Sequence, residues 1–208
     1  GYEIGSVGTV MPDVEVKIGE NNEILLRGKT ITTGYYKKPE ATAAAIDRDG
    51  WFHTGDAGYL KDSHLYLTER IKDLFKTSNG KYISPQALET KLAIDRYIDQ
   101  IAVIADERKF VSALIVPVYG FVKDYAKEKG IAYSNMDELL QHPKIQALFR
   151  ARIDTLQQQF AHYEQVKRFT LLTEPFSMER GELTNTLKLK RSVVAKNYKG
   201  LIDKMYEE

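Results

Sequence analysis

The chain contains no cysteine, which excludes disulfide bridges, thiolate metal sites and a catalytic thiol. Its four histidines are widely spread and no pair has the spacing of metal ligands, so no residue is assigned to a metal. No apolar run approaches the roughly 20 residues needed to span a bilayer. Neither sign of charge dominates, with 30 Lys and Arg against 29 Asp and Glu, so nucleic acid is not expected as a partner. We expect a cytoplasmic protein without a transmembrane segment, for which peripheral contact with a membrane stays open.

What is present is typical of a folded globular protein. Hydrophobic residues make up 43% of the sequence and charged residues 28%, and 208 residues suffice for one large domain or two small ones. The sequence starts Gly-Tyr-Glu-Ile-Gly, with neither an initiator methionine nor a signal-peptide pattern. We therefore expect the chain to be a piece of a longer protein.

The first third of the sequence has the pattern of a small β-rich unit. Residues 14–18 alternate apolar and charged side chains, which predicts a strand. Residues 19–22 have turn chemistry and residues 23–27 resume the strand pattern, so a hairpin is predicted. Proline opens a predicted short helix at 39–45, because it suits a first helical turn. Two further short strands are predicted near residues 57–60 and 64–68.

Beyond about residue 72 strands interleave with helices. Two apolar runs rich in β-branched residues, 98–105 and 113–118, predict buried strands. From residue 144 to 160 apolar side chains recur every three or four positions, which predicts an amphipathic helix. The other predicted elements are helices at 85–93 and 192–205 and a strand at 166–172. The predicted fold class is thus α+β, with a small β-rich subdomain joined by a short hinge to an α+β C-terminal domain.

One local motif carries a candidate binding group. Residues 50–56 read Gly-Trp-Phe-His-Thr-Gly-Asp, and we expect Thr-Gly-Asp to form a turn before a strand. A carboxylate at Asp56 accepts two charge-assisted hydrogen bonds and so suits two neighbouring hydroxyls, such as a ribose diol. The same tripeptide is also typical of an aspartate that stabilises its own turn. The motif by itself leaves both interpretations open.

Further motifs surround this one in a definite order. Residues 32–36 (Thr-Thr-Gly-Tyr-Tyr) precede it, and residues 69–76 (Glu-Arg-Ile-Lys-Asp-Leu-Phe-Lys) and 79–85 (Asn-Gly-Lys-Tyr-Ile-Ser-Pro) follow it. In this order and spacing the sequence resembles the adenylate-forming superfamily, which includes acyl-CoA synthetases, luciferases and the adenylation domains of peptide synthetases. Residues 181–191 (Gly-Glu-Leu-Thr-Asn-Thr-Leu-Lys-Leu-Lys-Arg) are similar to the terminal lysine motif of long-chain fatty-acyl-CoA synthetases, which usually have proline where Asn185 stands.

The resemblance implies a reaction in two steps. A fatty acid and Mg-ATP give acyl-adenylate and pyrophosphate, and coenzyme A then displaces AMP. It also implies that residues 1–71 are the distal β-rich subdomain of a large AMP-binding N-terminal domain. Residues 72–208 would be a mobile C-terminal domain that turns between the steps. Fatty acid, ATP with Mg²⁺ and CoA are then the expected partners, together with the missing N-terminal part of the same protein, and none is expected to bind tightly to this chain alone.

The resemblance also assigns roles to five residues. Asp56 would hold the ribose hydroxyls, and Arg70 would contact the nucleotide near its ribose and phosphate. Lys72 would be the hinge, and Gly80 would lie beside the channel of the CoA arm. Lys188 would be the catalytic lysine of adenylation, because a compact ammonium on a mobile stem can neutralise charge between carboxylate and phosphate.

Simpler interpretations stand beside three of these roles. Lys188, with Lys190 and Arg191 close behind it, also has the pattern of a solvated basic stretch. Gly80 has the chemistry of an ordinary turn glycine. Lys72 is equally compatible with a plain surface turn, since a hinge is any position that absorbs the change in backbone dihedrals.

The phosphate loop, the nucleotide- and metal-binding segment and the acyl pocket of the superfamily are not found in these residues. We therefore expect the chain alone to be inactive and the intact enzyme to be an acid–thiol ligase. Two alternatives stay open. The enzyme would load a carrier protein in place of free CoA, or the chain would be a non-catalytic binding module that keeps the fold.

Overall fold

The computed structural model describes residues 3–207. Residues 1, 2 and 208, at the outer ends of the two expected domains, lie outside the described residues. The chain divides into two compact units, of which the first ends at Leu74 and the second begins at Phe75. Within the described part, no helix is long and apolar enough to cross a bilayer.

The first unit is built on one antiparallel sheet. Its strands are β1 (Gly8–Thr9), β2 (Val14–Ile18), β3 (Glu23–Gly28), β4 (Phe52–Lys61) and β5 (His64–Arg70), in the spatial order β1-β5-β4-β3-β2. Helix α1 (Pro39–Ala45) connects β3 to β4 and has proline in its first turn, as predicted. The predicted hairpin of β2 and β3 is confirmed, with the apolar side chains of β2 half-buried and the charged ones exposed.

One prediction for this unit is wrong. The strand expected near residues 57–60 begins at Phe52, so Thr54-Gly55-Asp56 lies inside β4 and not in a turn before it. The cause is tertiary pairing, because β3 pairs with β4 on both sides of the motif, at His53 and at Ala57, and β5 pairs with Asp56 itself. Two register shifts, one between β3 and β4 and one between β4 and β5, still distort the strand near the motif.

The second unit contains two sheets and six helices among its described residues. Its strands are β6 (Phe75–Lys76), β7 (Tyr82–Ile83), β8 (Ile98–Ile104), β9 (Val111–Pro117) and β10 (Val166–Leu171). Its helices are α2 (Pro85–Leu92), α3 (Tyr119–Glu128), α4 (Met136–Gln141), α5 (Pro143–Leu156), α6 (Arg191–Asn197) and α7 (Lys199–Tyr206). Strands β6 and β7 form a hairpin, and β9 lies between an antiparallel β8 and a parallel β10.

The core of this unit lies on both faces of β9, every residue of which is buried. Ala113 and Ile115 contact one apolar cluster with α2, α3 and α5. Leu114 and Val116 contact a second cluster with α6 and α7. Successive side chains of a strand point to opposite faces, so a sheet covered on both sides needs the continuous apolar run seen in the sequence. The mixed α+β fold class is confirmed.

Two predicted helices differ in their extent. The helix expected to reach residue 160 ends at Leu156, and the buried side chain of the next residue, Gln157, accepts from the Val166 N–H at 2.8 Å. The helix expected over 192–205 is broken at Tyr198, whose ring packs edge-on against Phe176 at a centroid distance of 5.7 Å. In both cases the change in the helix coincides with a tertiary contact, on which the local sequence pattern carries no information.

Candidate functional site

In the first unit the structure brings Asp56 and Arg70 together. The register of β4 and β5 places them directly opposite each other, and the Arg70 Nε lies 3.4 Å from the Asp56 Oδ1. The side chain of Asp56 is 35% exposed and that of Arg70 is 64% exposed. An exposed ion pair of this length is weak. Both groups therefore remain available to a ligand that offers hydroxyls to the carboxylate and an anion to the guanidinium.

The backbone before Asp56 is held in an unusual shape. Gly55 has a φ of +69°, in the left-handed region that glycine adopts without steric cost. Its N–H donates to the Glu23 Oε1 at 3.0 Å, and the Thr54 hydroxyl accepts from the Asp56 N–H at 3.1 Å. These contacts fix the direction in which the Asp56 carboxylate leaves the strand. Sequence reasoning missed Glu23, because no local pattern marks a partner that lies 32 positions from Gly55.

Lys72 lies in a 3-10 turn, Ile71–Asp73, that directly follows β5. The turn is closed by the Leu74 N–H, which donates to the Ile71 carbonyl at 3.2 Å. The Lys72 side chain is exposed, and the turn ends the first unit.

In the second unit Gly80 lies in the turn of the β6–β7 hairpin. Its φ is +74°, and its N–H donates to the Thr77 carbonyl at 2.8 Å. A side-chain Cβ built on Gly80 would meet no other atom within 4 Å. Glycine is thus required by the turn itself, and open space lies beside it, which is compatible with both interpretations of this residue.

Lys188 is carried by a small hairpin of residues 183–189. Leu183 and Leu189 form an antiparallel bridge, and the Thr184 N–H donates to the Lys188 carbonyl at 2.8 Å. In return the Thr184 hydroxyl accepts from the Lys188 N–H at 3.0 Å. The Lys188 side chain is exposed, and within residues 3–207 its ammonium has no carboxylate within ion-pair distance. The ammonium is therefore presented by a tight turn and is not neutralised there.

A buried carboxylate holds the N-terminal foot of this hairpin. Glu182 is fully buried and accepts from the Arg180 Nε at 3.1 Å, the Asn197 Nδ2 at 3.1 Å and the Ser177 N–H at 3.0 Å. Burial by itself would raise the pKa of Glu182, but these hydrogen bonds outweigh it and hold the pKa below its usual value. Glu182 was not singled out from the sequence, where it reads as one more charged residue of the motif.

The C-terminal foot is held by an ion pair. The Arg191 guanidinium donates to both carboxylate oxygens of Glu89 in α2, at 2.5 and 2.7 Å. The sequence presents Lys188, Lys190 and Arg191 as three neighbouring cations. In the structure Arg191 is bound to Glu89, so the basic stretch is not uniformly solvated.

The comparison with protein families agrees with this architecture. The family model for the AMP-binding enzyme C-terminal domain matches residues 72–208. The chain therefore belongs to the family of AMP-binding enzymes with this C-terminal domain, and the resemblance stated from the motifs is confirmed.

Curated relatives are similar to this chain over most of its length. Long chain acyl-CoA synthetase 7, peroxisomal, of Arabidopsis thaliana is 35% identical over an alignment that covers 98% of this chain and 32% of that protein. Long-chain-fatty-acid–CoA ligase 5 of Rattus norvegicus is 35% identical over 91% of this chain and 28% of that protein. The chain thus spans about a third of the length of the curated relatives it matches.

Solved structures share the fold. The adenylation domain of a carboxylate reductase from Mycobacterium chelonae is 26% identical, with a TM-score of 0.63 over 89% of this chain and 28% of that one. The A domain of a carboxylic acid reductase from Segniliparus rugosus, solved in complex with AMP and a co-purified carboxylic acid, is 25% identical, with a TM-score of 0.63 over 88% and 28%. These neighbours support the α+β fold class and the adenylate-forming family.

Proposed function

We propose that this chain is the C-terminal part of an ATP-dependent long-chain fatty-acid–CoA ligase. In the intact enzyme a fatty acid and Mg-ATP give acyl-adenylate and pyrophosphate, and CoA then displaces AMP. One observation carries the proposal: in a chain of the AMP-binding family, the hairpin of residues 183–189 is anchored at both feet and presents the exposed Lys188 ammonium, which has no carboxylate within ion-pair distance among residues 3–207. The names of the relatives from Arabidopsis thaliana and Rattus norvegicus support the long-chain substrate.

The two parts of the chain, residues 1–71 and residues 72–208, have different roles in this proposal. Residues 1–71 form the last, β-rich subdomain of the N-terminal domain, where Asp56 holds the ribose hydroxyls and Arg70 contacts the nucleotide near ribose and phosphate. Their cross-strand pairing supports this, since one ligand reaches both groups at once. An ionised carboxylate suits a diol, and a guanidinium suits a phosphate.

Residues 72–208 form the mobile domain. In the first step Lys188 neutralises charge between the carboxylate of the acid and the α-phosphate while pyrophosphate leaves. In the second step the domain turns at Lys72, and Gly80 lies beside the pantetheine arm of CoA. The open space beside Gly80 is compatible with that last role.

We also propose that the chain is inactive by itself. The phosphate loop and the acyl pocket of the family are not found in its sequence, and it spans about a third of its relatives. Acid-dependent ATP–pyrophosphate exchange by the purified chain would contradict this part of the proposal.

The deciding experiment is ATP–pyrophosphate exchange by the intact enzyme with short, medium and long fatty acids, for the wild type and for Lys188→Ala. Exchange that needs a long-chain acid and falls to background in Lys188→Ala is the expected result. Lys190→Ala is the matched control, since it removes an exposed cation two positions away and is expected to keep most of the exchange. Folded enzyme without exchange on any fatty acid would overturn the proposal and favour another acid or a binding module.

A second candidate follows from the likeness to the carboxylate reductase adenylation domain. In that case the first step is the same, but the acyl group passes to the phosphopantetheine arm of a carrier protein. Supplying the intact enzyme with acyl-adenylate and either free CoA or a phosphopantetheinylated carrier protein separates the two. Thioester on CoA supports the ligase, and thioester on the carrier alone supports the second candidate.

A further inference from the structure

We propose that Glu89 is a positioning residue for both half-reactions, because it joins the hairpin that carries Lys188 to the hairpin that carries Gly80. This inference rests on the proposed function. It assigns Glu89 a role that is exerted through Arg191 and α2, and it predicts that one substitution slows two chemically different steps.

The Glu89 carboxylate accepts hydrogen bonds from two separate segments of the chain. Both of its oxygens accept from the Arg191 guanidinium, at 2.5 and 2.7 Å, and the Glu89 side chain is only 13% exposed. The Val103 N–H of β8 donates to the same carboxylate at 2.8 Å. A bidentate pair fixes orientation as well as distance. Loss of Arg191 would leave the mostly buried Glu89 carboxylate without this counterion.

On one side this ion pair holds the Lys188 hairpin. Arg191 follows Lys188 by three positions and is the first residue of α6. Between them, the Lys190 N–H donates to the Glu182 carbonyl at 2.8 Å and closes the hairpin. The position of the Arg191 side chain thus sets where the C-terminal foot of the hairpin lies relative to α2 and β8.

On the other side the ion pair lies against the base of the Gly80 hairpin, where Phe75 pairs with Ile83. Helix α2, which carries Glu89, begins directly after β7, and Ser84 caps it by accepting from the Ala87 N–H at 3.2 Å. Phe75, which pairs with Ile83 in the hairpin, places its ring 5.5 Å from the Arg191 guanidinium. Phe75 of β6 therefore packs on the Glu89–Arg191 pair, and β7 leads directly into the helix that carries Glu89.

Glu182 provides the contrast that makes the inference testable. It holds the other foot of the Lys188 hairpin. Its partners Arg180, Asn197 and Ser177 all lie between residues 177 and 197 and so are far in sequence from the Gly80 segment. A purely local anchor of the lysine hairpin should affect adenylation alone. A shared anchor should affect adenylation and thioester formation together.

The test compares Glu89→Gln and Glu182→Gln in the intact enzyme, with the two half-reactions measured separately. ATP–pyrophosphate exchange reports adenylation, and CoA thioester formation from supplied acyl-adenylate reports the second step. For Glu89→Gln we expect kcat to fall about tenfold or more in both, with KM for ATP and for CoA changed less than about twofold, because misplacement of a reacting group costs rate more than binding. For Glu182→Gln we expect the loss in adenylation alone.

Glu128→Gln is the matched control. It makes the same chemical change in an exposed ion pair, Glu128 with Lys129 at the end of α3, and is expected to leave both steps unchanged. Arg191→Lys supplies a second variant, which keeps the charge but cannot donate as a fork, and both steps are expected to fall with it as well. The double variant Glu89→Gln/Arg191→Lys should be no slower than the worse single variant, since the two residues act as one unit.

The inference would be overturned if Glu89→Gln slowed adenylation alone. It would also be overturned if the loss of rate in the double variant equalled the product of the losses in the two single variants. Hydrogen exchange on the chain by itself gives a readout that does not depend on the reaction. Amides of residues 77–83 and 184–190 should both exchange faster in Glu89→Gln than in Glu128→Gln. If both segments exchange faster but the wild-type enzyme adenylates no fatty acid, the proposed function has failed and the structural link between the two hairpins stands. If neither segment changes, the link itself is wrong.

Discussion

Thr184 and Lys188 hold each other across the tip of the lysine hairpin. The Thr184 hydroxyl accepts from the Lys188 N–H at 3.0 Å, and the Thr184 N–H donates to the Lys188 carbonyl at 2.8 Å. The same hydroxyl lies 3.1 Å from the Thr186 hydroxyl. The Thr184 hydroxyl thus adds to the backbone hydrogen bonds that order the turn around Asn185.

We expect Thr184→Val to slow adenylation by the intact enzyme several-fold and to spare thioester formation. Valine keeps the shape of threonine but removes the hydroxyl, so the Lys188 N–H loses its acceptor at a cost of about 1 kcal/mol. Thr184→Ser restores the acceptor and should recover most of the rate. Half-reaction kinetics on the three proteins are the measurement, and equal rates for valine and serine would count against a role for the hydroxyl.

Glu23→Gln is expected to weaken nucleotide binding to the intact enzyme several-fold. The substitution replaces the carboxylate that accepts the hydrogen bond from the Gly55 N–H. It therefore loosens the backbone that orients the Asp56 side chain. The hydrogen bond from an N–H to a charged acceptor is stronger than to a neutral one. Titration with ATP measures the effect, and Glu20→Gln, an exposed residue just before β3, is the control. Unchanged affinity for ATP would show that the motif does not need Glu23 to bind the nucleotide.

At Gly80 two substitutions separate backbone strain from obstruction. Because its φ is +74°, both Gly80→Ala and Gly80→Leu should destabilise the chain by about 1 kcal/mol. Space for the alanine methyl group is open, so Gly80→Ala should change thioester formation little. Gly80→Leu should slow thioester formation and spare adenylation, since its side chain reaches into the expected path of the CoA arm. Unchanged CoA kinetics in Gly80→Leu would show that Gly80 is only a turn glycine.

The stability of the chain should depend on Glu182 at acid pH. Its pKa is lower in the folded than in the unfolded chain, so its contribution is complete above the ordinary value of 4.5 and is lost as the pH falls through the folded pKa. The sign follows because the unfolded chain takes up the proton first. Thermal unfolding of the wild type and of Glu182→Gln, followed downward from about pH 6, should show a loss below pH 4.5 that is steeper in the wild type. Parallel curves would mean that Glu182 titrates alike in both states.

Much of the secondary structure could be predicted from the sequence alone. The hairpin of β2 and β3, helix α1, the buried strands β8 and β9 and most of α5 follow from side-chain periodicity and from turn chemistry, which act over a few residues. The ordered motifs also identified the family, because they are contiguous in the sequence.

The tertiary structure decided what depends on distant partners. The start of β4 at Phe52 follows from pairing with β3 and β5, and the break at Tyr198 accompanies its contact with Phe176. Glu89 meets its guanidinium partner, Arg191, 102 positions further along the chain. Local patterns contain no information on such contacts, because they form only when the sheet and its covering helices have brought separate segments together. The sequence therefore predicted which side chains carry the proposed chemistry, and the fold decided which others contact and hold the segments that bear them.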